Sequence, residues 1–165
     1  MKNKNLSFMT QAAMIAAIYV VLTYIFAPFS FGEVQVRISE ALTILPIFTP
    51  AAIPGLFVGC LIGNILGGAI LPDIVFGSIA TLIGAFFTWK LREQKPVVAT
   101  FPPIISNIII VPFVLRYGYG VTLPIPFMML TVGIGEVLSC GVIGLVLQSA
   151  LKNYSHVIFR DTAKA

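Results

Sequence analysis

The amino-acid sequence predicts an all-α membrane protein with six transmembrane helices in a single domain over residues 1–165. Of its 165 residues, 58% are hydrophobic and only 10% are charged, whereas charged residues make up about 25% of ordinary soluble domains. The mean hydropathy is +1.02. A soluble chain of this size needs polar side chains to cover its surface, and this chain has too few. Lipid is therefore the expected solvent of most of its surface.

The predicted helices follow apolar runs that end at prolines, glycines or charged residues. The first run follows Lys2 and Lys4, and at about 20 residues it exceeds the apolar part of a signal peptide, which spans about 7–15 residues. We interpret it as a retained helix that ends at Pro28. The predicted helices cover residues 7–27, 39–49, 54–71, 74–89, 97–115 and 126–151.

The second and third predicted helices are separated by prolines. Pro46, Pro50 and Pro54 interrupt this apolar stretch, and a proline removes a backbone donor that a continuous helix needs. A hydrocarbon core of about 30 Å requires about 20 helical residues, so both helices are short. We expect them to pack among neighbouring helices or to end at a water-filled cavity.

The basic residues predict the topology. Eight of the ten fall in three clusters, at residues 2–4, 90–95 and 152–164. Cytoplasmic loops carry an excess of lysine and arginine, so all three clusters are expected inside the cell. An even number of membrane crossings must then lie between successive clusters. Six helices meet this condition and place both termini in the cytoplasm. The longest outer loop covers residues 29–38.

Polar residues near helix centres are the first candidates for a binding site. A carboxylate at the centre of a transmembrane helix costs about 2.5–3.5 kcal/mol, and Glu136 lies close to the middle of the sixth helix. It is either a ligand or proton site, or the partner of a polar group on a neighbouring helix. Asn107 at a similar depth either contacts a ligand or links helices. For Asn64 we favour a link between helices.

Arg37 and Glu40, at the start of the second helix, allow two interpretations. Ser39 suits the N-cap position and Glu40 the first turn, with Arg37 as an ion-pair partner. The same pair also lies beneath the longest outer loop, where it is well placed to contact a ligand. We expect Asp73 to cap the fourth helix and Arg116 to anchor the outer interface.

Small residues recur every four positions on two helices, and such stripes allow close backbone approach. The glycine stripe on the third helix is expected to pack within the chain, and Cys60 and Cys140 to be packing residues. The alanine stripe on the first helix is open to either interpretation. The stripes are Gly55, Gly59, Gly63 and Gly67, and Ala12, Ala13, Ala16 and Ala17.

Catalytic signatures are missing from the sequence. It contains no Gly-Lys dipeptide, so it has no Walker A phosphate-binding loop. The single histidine, His156, lies in the C-terminal tail, and neither a metal-ligand cluster nor a Ser-His-Asp pattern is present. No long basic stripe suggests nucleic-acid binding. We therefore expect no enzyme activity, cofactor or metal in this chain.

Residues 35–46, which read QVRISEALTILP, resemble the signature of the QueT family. Members of this family are queuosine-precursor transporters that serve as substrate-binding S components of energy-coupling factor (ECF) transporters. The segments PGLFVGCLIGN at 54–64 and GSIATL at 77–82 extend the resemblance, which covers residues 7–151. The resemblance implies a six-helix bundle that binds a micronutrient from outside.

The resemblance also implies protein partners. An S component docks through alanines of its first helix onto a transmembrane coupling subunit, which carries two ATPase subunits. On this interpretation the docking residues are Ala12, Ala13, Ala16 and Ala17. ATP hydrolysis then belongs to the partner chains.

The cargo implied by the resemblance is a 7-deazaguanine such as preQ1, preQ0 or queuine. Glu136 would accept the N–H and NH₂ of the guanine edge, and Asn107 would contact the carbonyl or ring nitrogens. Tyr117 and Tyr119 would stack on the base or anchor the interface. Four residues at the outer loop would close over the ligand: Glu33, Gln35, Arg37 and Glu40.

Two alternatives stay open. One is an S component for another purine-like compound or a vitamin. The other is a small membrane enzyme or an oligomeric channel.

Overall fold

The computed structural model describes residues 4–27 and 36–159, apart from the side chain of His156. These residues form helices connected by short turns, with no strand among them. The helices are α1 (Lys4–Ile25), a 3₁₀ helix (Ile38–Ile47), α2 (Ala52–Leu66), α3 (Leu71–Lys90), α4 (Pro96–Tyr117), α5 (Ile125–Lys152) and α6 (Ser155–Ile158).

Four of these helices, α1, α3, α4 and α5, are long and apolar enough to cross a membrane. The 3₁₀ helix and α2 are shorter apolar helices. The predicted class, an all-α membrane protein, is therefore confirmed. The number of six crossings stays a prediction, because it depends on the two short helices.

The 3₁₀ helix lies at the centre of the fold. Its residues from Ser39 to Pro46 are all buried, and it packs against α1, α2, α3, α4 and α5. A 3₁₀ helix rises about 2.0 Å per residue, so ten residues span about 20 Å, compared with about 15 Å for an α-helix of equal length. Runs longer than about 3–4 residues are uncommon, which indicates that the surrounding helices hold this one in place. Its position puts Glu40 in the interior.

The glycine stripe of α2 packs against α1, as expected. A Cβ atom on Gly55 would lie 2.7 Å from the carbonyl oxygen of Ala12, and one on Gly59 would lie 2.8 Å from Cβ of Tyr19. Such distances are shorter than van der Waals contact, so only glycine permits this approach. The close packing fixes the position of Tyr19, whose side chain points into the interior and is 1% exposed.

A π-helical segment, Val137–Ile143, interrupts α5 directly after Glu136. The insertion of a wider turn changes which side chains face inward, and such segments are frequent at functional sites. Here Ser139 and Cys140 are buried next to Glu136. The irregular turn therefore concentrates polar groups at one depth of α5.

Candidate ligand-binding site

The buried polar side chains form two clusters at the 3₁₀ helix. The carboxylate cluster contains Tyr19, Glu40, Thr81, Asn107, Glu136, Ser139 and Cys140. The arginine cluster contains Arg37, Asn64, Asp73 and Tyr119.

Glu40 is the centre of the carboxylate cluster, and its side chain is fully buried. The hydroxyl of Tyr19 donates to Oε1 of Glu40. The hydroxyl of Thr81 lies 3.0 Å from the same oxygen. Two helices, α1 and α3, thus hold one carboxylate oxygen through neutral donors.

Glu136 lies next to Glu40. The thiol of Cys140 donates to Oε2 of Glu136 at 3.2 Å. One oxygen of each carboxylate and Sγ of Cys140 all lie within 4.8 Å of one another. At an effective dielectric constant of 20, two full charges 4 Å apart repel by about 4 kcal/mol. Two ionised glutamates at this separation would therefore repel each other strongly.

Several polar atoms of the carboxylate cluster are buried without a hydrogen bond. Within residues 4–27 and 36–159, Oε2 of Glu40, Nδ2 of Asn107 and Oγ of Ser139 have no partner. Asn107 lies beside the Glu136 carboxylate and is 2% exposed. Leaving a buried polar group unsatisfied costs about 1–3 kcal/mol. Oε2 of Glu40 is therefore an unsatisfied acceptor at the centre of the carboxylate cluster, and the arginine cluster likewise contains one in Oδ1 of Asp73.

The arginine cluster contains an ion pair. Nη2 of Arg37 lies 3.5 Å from Oδ2 of Asp73 and donates to Oδ1 of Asn64 at 3.0 Å. Nδ2 of Asn64 donates to the backbone carbonyl of Asp73 at 3.3 Å. The cluster therefore links the start of the 3₁₀ helix, α2 and the first turn of α3.

Tyr119 attaches the loop after α4 to this cluster. Its hydroxyl donates to Oδ2 of Asp73 at 3.0 Å. Partial burial and the neighbouring Asp73 carboxylate raise the pKa of Tyr119 above its usual value. The phenol therefore stays protonated at neutral pH and remains a donor.

A family model described as QueT transporter matches residues 9–153. This chain belongs to the QueT transporter family. The queuosine precursor transporter QueT of Lactococcus lactis subsp. cremoris (strain MG1363) is 33% identical over 84 residues, which cover 50% of this chain and 48% of that protein. The chain thus matches about half the length of this curated relative. No solved structure matches the chain.

This QueT family member brings four of the six predicted ligand residues into the two clusters. Glu136, Asn107 and Glu40 lie in the carboxylate cluster, and Arg37 lies in the arginine cluster. The other two, Glu33 and Gln35, lie outside the described residues.

Two expectations for the start of the helices were wrong in detail. Ser39 does not cap the 3₁₀ helix, which begins at Ile38 without a side-chain cap; its hydroxyl accepts a hydrogen bond from Thr23 at 2.9 Å. Asp73 lies in the first turn of α3 and makes no cap hydrogen bond. It pairs with Arg37, because a buried arginine needs a buried counter-charge.

Tyr19, Thr81 and Ser139 were not predicted from the sequence, and Cys140 was predicted only as a packing residue. Both cysteines are buried and free, but Cys140 also bonds to Glu136. Tyr117 is 78% exposed and stacks on Phe113. It therefore lies away from the carboxylate cluster.

The four alanines of α1 occupy two faces. Ala12 and Ala16 are half-buried against Gly55 and Gly59 of α2, whereas Ala13 and Ala17 are exposed. A shallow groove of about 290 Å³ adjoins this surface. Its lining residues are Phe8, Met9, Ala12, Ala13, Ala16, Pro54, Gly55 and Val58.

Glu40, Glu136 and Cys140 are also close enough to hold a metal ion. A metal would require the thiolate of Cys140, whereas the thiol here donates its proton to Glu136.

Proposed function

We propose that this chain is the substrate-binding subunit of an ECF-type transporter that imports a queuosine precursor, a 7-deazaguanine such as preQ1, preQ0 or queuine. Membership of the QueT transporter family supports a transport role, and the relative from Lactococcus lactis is named a queuosine precursor transporter. The observation that carries the proposal is a pair of buried carboxylates beside polar atoms that lack a hydrogen bond.

The chemistry of a 7-deazaguanine fits this arrangement. Its guanine edge presents an N–H and an NH₂ side by side, and one carboxylate accepts both. Hydrogen bonds to a charged group are roughly twice as strong as neutral ones. In the proposal Glu136 accepts this edge, and Nδ2 of Asn107 donates to the carbonyl or a ring nitrogen. The further proposed ligand contacts are Arg37 and Glu40, together with Glu33 and Gln35, which lie outside the described residues.

Calorimetric titration of the purified protein tests the ligand. We expect preQ1, preQ0 or queuine to bind, and vitamins and other purines not to bind. The Glu136→Gln variant should lose about tenfold or more in affinity, since the amide cannot accept two hydrogen bonds with a full charge.

The matched control is Glu93→Gln, the same chemical change at an exposed position in the turn after α3. It should bind like the parent protein. Unchanged affinity in the Glu136→Gln variant would remove Glu136 from the site. Titration in the presence of a chelator provides a second control, because a ligand that binds through a metal ion would lose affinity.

We further propose that the alanine surface of α1 docks onto a transmembrane coupling subunit that carries two ATPase subunits. Small residues allow helices of two proteins to approach closely, and Ala13 and Ala17 are exposed for this purpose. Ala12 and Ala16 form the edge of the same surface, where α1 meets α2.

Co-expression with the coupling and ATPase subunits tests docking. Replacing Ala13 and Ala17 with leucine should abolish co-purification and leave ligand binding unchanged. The control is Ala150→Leu, at an exposed position of α5, which should leave both unchanged. Co-purification of the Ala13 and Ala17 variant at the parent level would contradict docking at this surface.

The proposed location is the cell membrane, with both termini in the cytoplasm. The three basic clusters support this orientation. Reporter fusions test it: green fluorescent protein should fluoresce at either terminus, and alkaline phosphatase fused there should be inactive. An active phosphatase at one terminus would mean that the number of crossings is odd.

A further inference from the structure

The charges buried in the described part of the chain do not balance. Four charged side chains are buried there, and they are Arg37, Glu40, Asp73 and Glu136. Arg37 lies 3.5 Å from Asp73, so the arginine cluster contains one positive and one negative charge. The glutamates of the carboxylate cluster have no further buried cation within residues 4–27 and 36–159.

The side chains that contact these glutamates are neutral donors. Tyr19 and Thr81 donate to Glu40, and Cys140 donates to Glu136. Such donors stabilise one carboxylate charge but do not cancel two. The titratable groups facing the pair from the elements packed around it are Tyr19, Arg37, Cys60, Asp73 and Cys140.

We infer that Glu40 and Glu136 share one proton when the site is empty, and that the ammonium group of a cationic ligand replaces this proton. The inference rests on the proposed function, because it takes the carboxylate cluster as the ligand site. Oxygens of the two carboxylates lie within 4.8 Å of one another, and two carboxylates this close ionise one at a time when no cation lies between them. Oε2 of Glu40 is buried and has no partner among the described residues. In the inference it receives the shared proton in the empty protein and a hydrogen bond from the ammonium group in the complex.

The replacement keeps the charge of the buried site constant, because one positive charge leaves as another arrives. It also distinguishes ligands that share a guanine edge. 7-Aminomethyl-7-deazaguanine carries a primary amine that is protonated at neutral pH, like the amine of lysine. 7-Cyano-7-deazaguanine is neutral, so it leaves the shared proton in place. The site therefore favours the cation by about tenfold above neutral pH, since its hydrogen bonds are charge-assisted.

Calorimetric titration in buffers of different ionisation enthalpy tests the inference. For the aminomethyl ligand between pH 6 and 8, we expect release of up to about one proton per ligand bound and an affinity that rises by up to about tenfold per pH unit. For the cyano ligand we expect no proton release and a constant affinity. The Glu136→Gln variant should bind the aminomethyl ligand without proton release, and Glu93→Gln should behave like the parent protein.

The outcomes separate the inference from the proposed function. Binding of both ligands without proton exchange, at similar affinity, would overturn the shared proton and leave the transporter function in place. Failure of both ligands to bind a correctly folded protein would overturn the proposed function itself. Thermal unfolding of each variant shows whether it is folded.

Discussion

The two polar clusters at the 3₁₀ helix contain similar groups but differ in charge balance. In the arginine cluster, Arg37 has a counter-charge in Asp73 and an amide partner in Asn64. In the carboxylate cluster, oxygens of Glu40 and Glu136 lie within 4.8 Å of one another, and the described residues contain no further buried cation. Each cluster also contains one carboxylate oxygen without a hydrogen bond, Oδ1 of Asp73 and Oε2 of Glu40. Both clusters are surrounded by apolar helices, so burial alone does not distinguish them.

In the proposed function, this difference separates polar groups that hold the fold from polar groups that bind the ligand. A charge-paired cluster lowers the energy of the protein as it stands, and removing one member leaves the other unsatisfied. Two neighbouring carboxylates without a buried cation raise the energy of the empty protein, and in the proposed function a bound ligand compensates for this cost. Substitutions should therefore have opposite effects in the two places.

The largest expected effect is on stability, in the arginine cluster. Arg37→Met leaves Asp73 buried without its counter-charge, which should destabilise the protein by about 3–5 kcal/mol. Thermal unfolding in detergent without ligand measures the loss. Arg116→Met, at an exposed position, should unfold like the parent protein. The double variant Arg37→Met, Asp73→Leu should recover most of the stability, and no recovery would mean that the ion pair is not the cause.

The same kind of change in the carboxylate cluster should act on binding. Glu40→Gln leaves one carboxylate where two lie close together, so the empty protein should be as stable as the parent or more stable. Its affinity for a 7-deazaguanine should fall by about a hundredfold, or about 2.7 kcal/mol. Calorimetry and thermal unfolding together check both parts. A large loss of stability would instead place Glu40 among the structural groups.

A glycine in each region tests how closely the groups are packed. A Cβ on Gly77 would lie 3.0 Å from Oδ1 of Asp73 and 3.3 Å from Nδ2 of Asn64, whereas one on Gly141 would approach nothing closer than Val137 Cγ1 at 3.8 Å. We expect Gly77→Ala to cost about 1–2 kcal/mol and Gly141→Ala to be close to neutral. Equal unfolding temperatures for the two variants would contradict this difference in packing.

The smallest effects should come from two tyrosines that offer the same hydroxyl to different clusters. Tyr19→Phe removes a donor to Glu40 and should weaken ligand binding by about tenfold, since a hydrogen bond to a charged group contributes about 1.5–3 kcal/mol. Tyr119→Phe removes a donor to Asp73 and should cost about 1 kcal/mol of stability with little change in affinity. Both the unfolding temperature and the ligand affinity must be measured for each variant. A loss of stability in Tyr19→Phe and a loss of affinity in Tyr119→Phe would contradict the assigned roles.

The sequence was most informative where burial is costly. Glu136 and Asn107 are polar residues in apolar runs, so the sequence alone marked them as exceptional. Arg37 and Glu40 were candidates because they lie beneath the longest outer loop, and all four residues are buried in the clusters. Tyr19, Thr81 and Cys140 fit apolar helices without cost, so their residue types did not mark them as site residues. Only the helix rotations show that they face the glutamates.

The partner of Arg37 was equally hidden from the sequence. Glu40 is three residues away along the chain, but Asp73, on a different helix, forms the ion pair. The form of the second helix was missed as well, because 3₁₀ geometry here depends on the helices packed around Ile38–Ile47. A pattern of residue types predicts that a short helix exists, but not its rise per residue.

Helix α1 presents Tyr19 to the interior and Ala13 and Ala17 to the outside. Only the thickness of one helix, about 10 Å, separates the two surfaces. A hydrogen bond weakens steeply when its atoms move apart by more than about half an ångström beyond their normal distance. A protein that binds the alanine surface and shifts this helix by about 1 Å would therefore break the hydrogen bond from Tyr19 to Glu40. Loss of that bond would weaken the binding of any ligand held by the two glutamates.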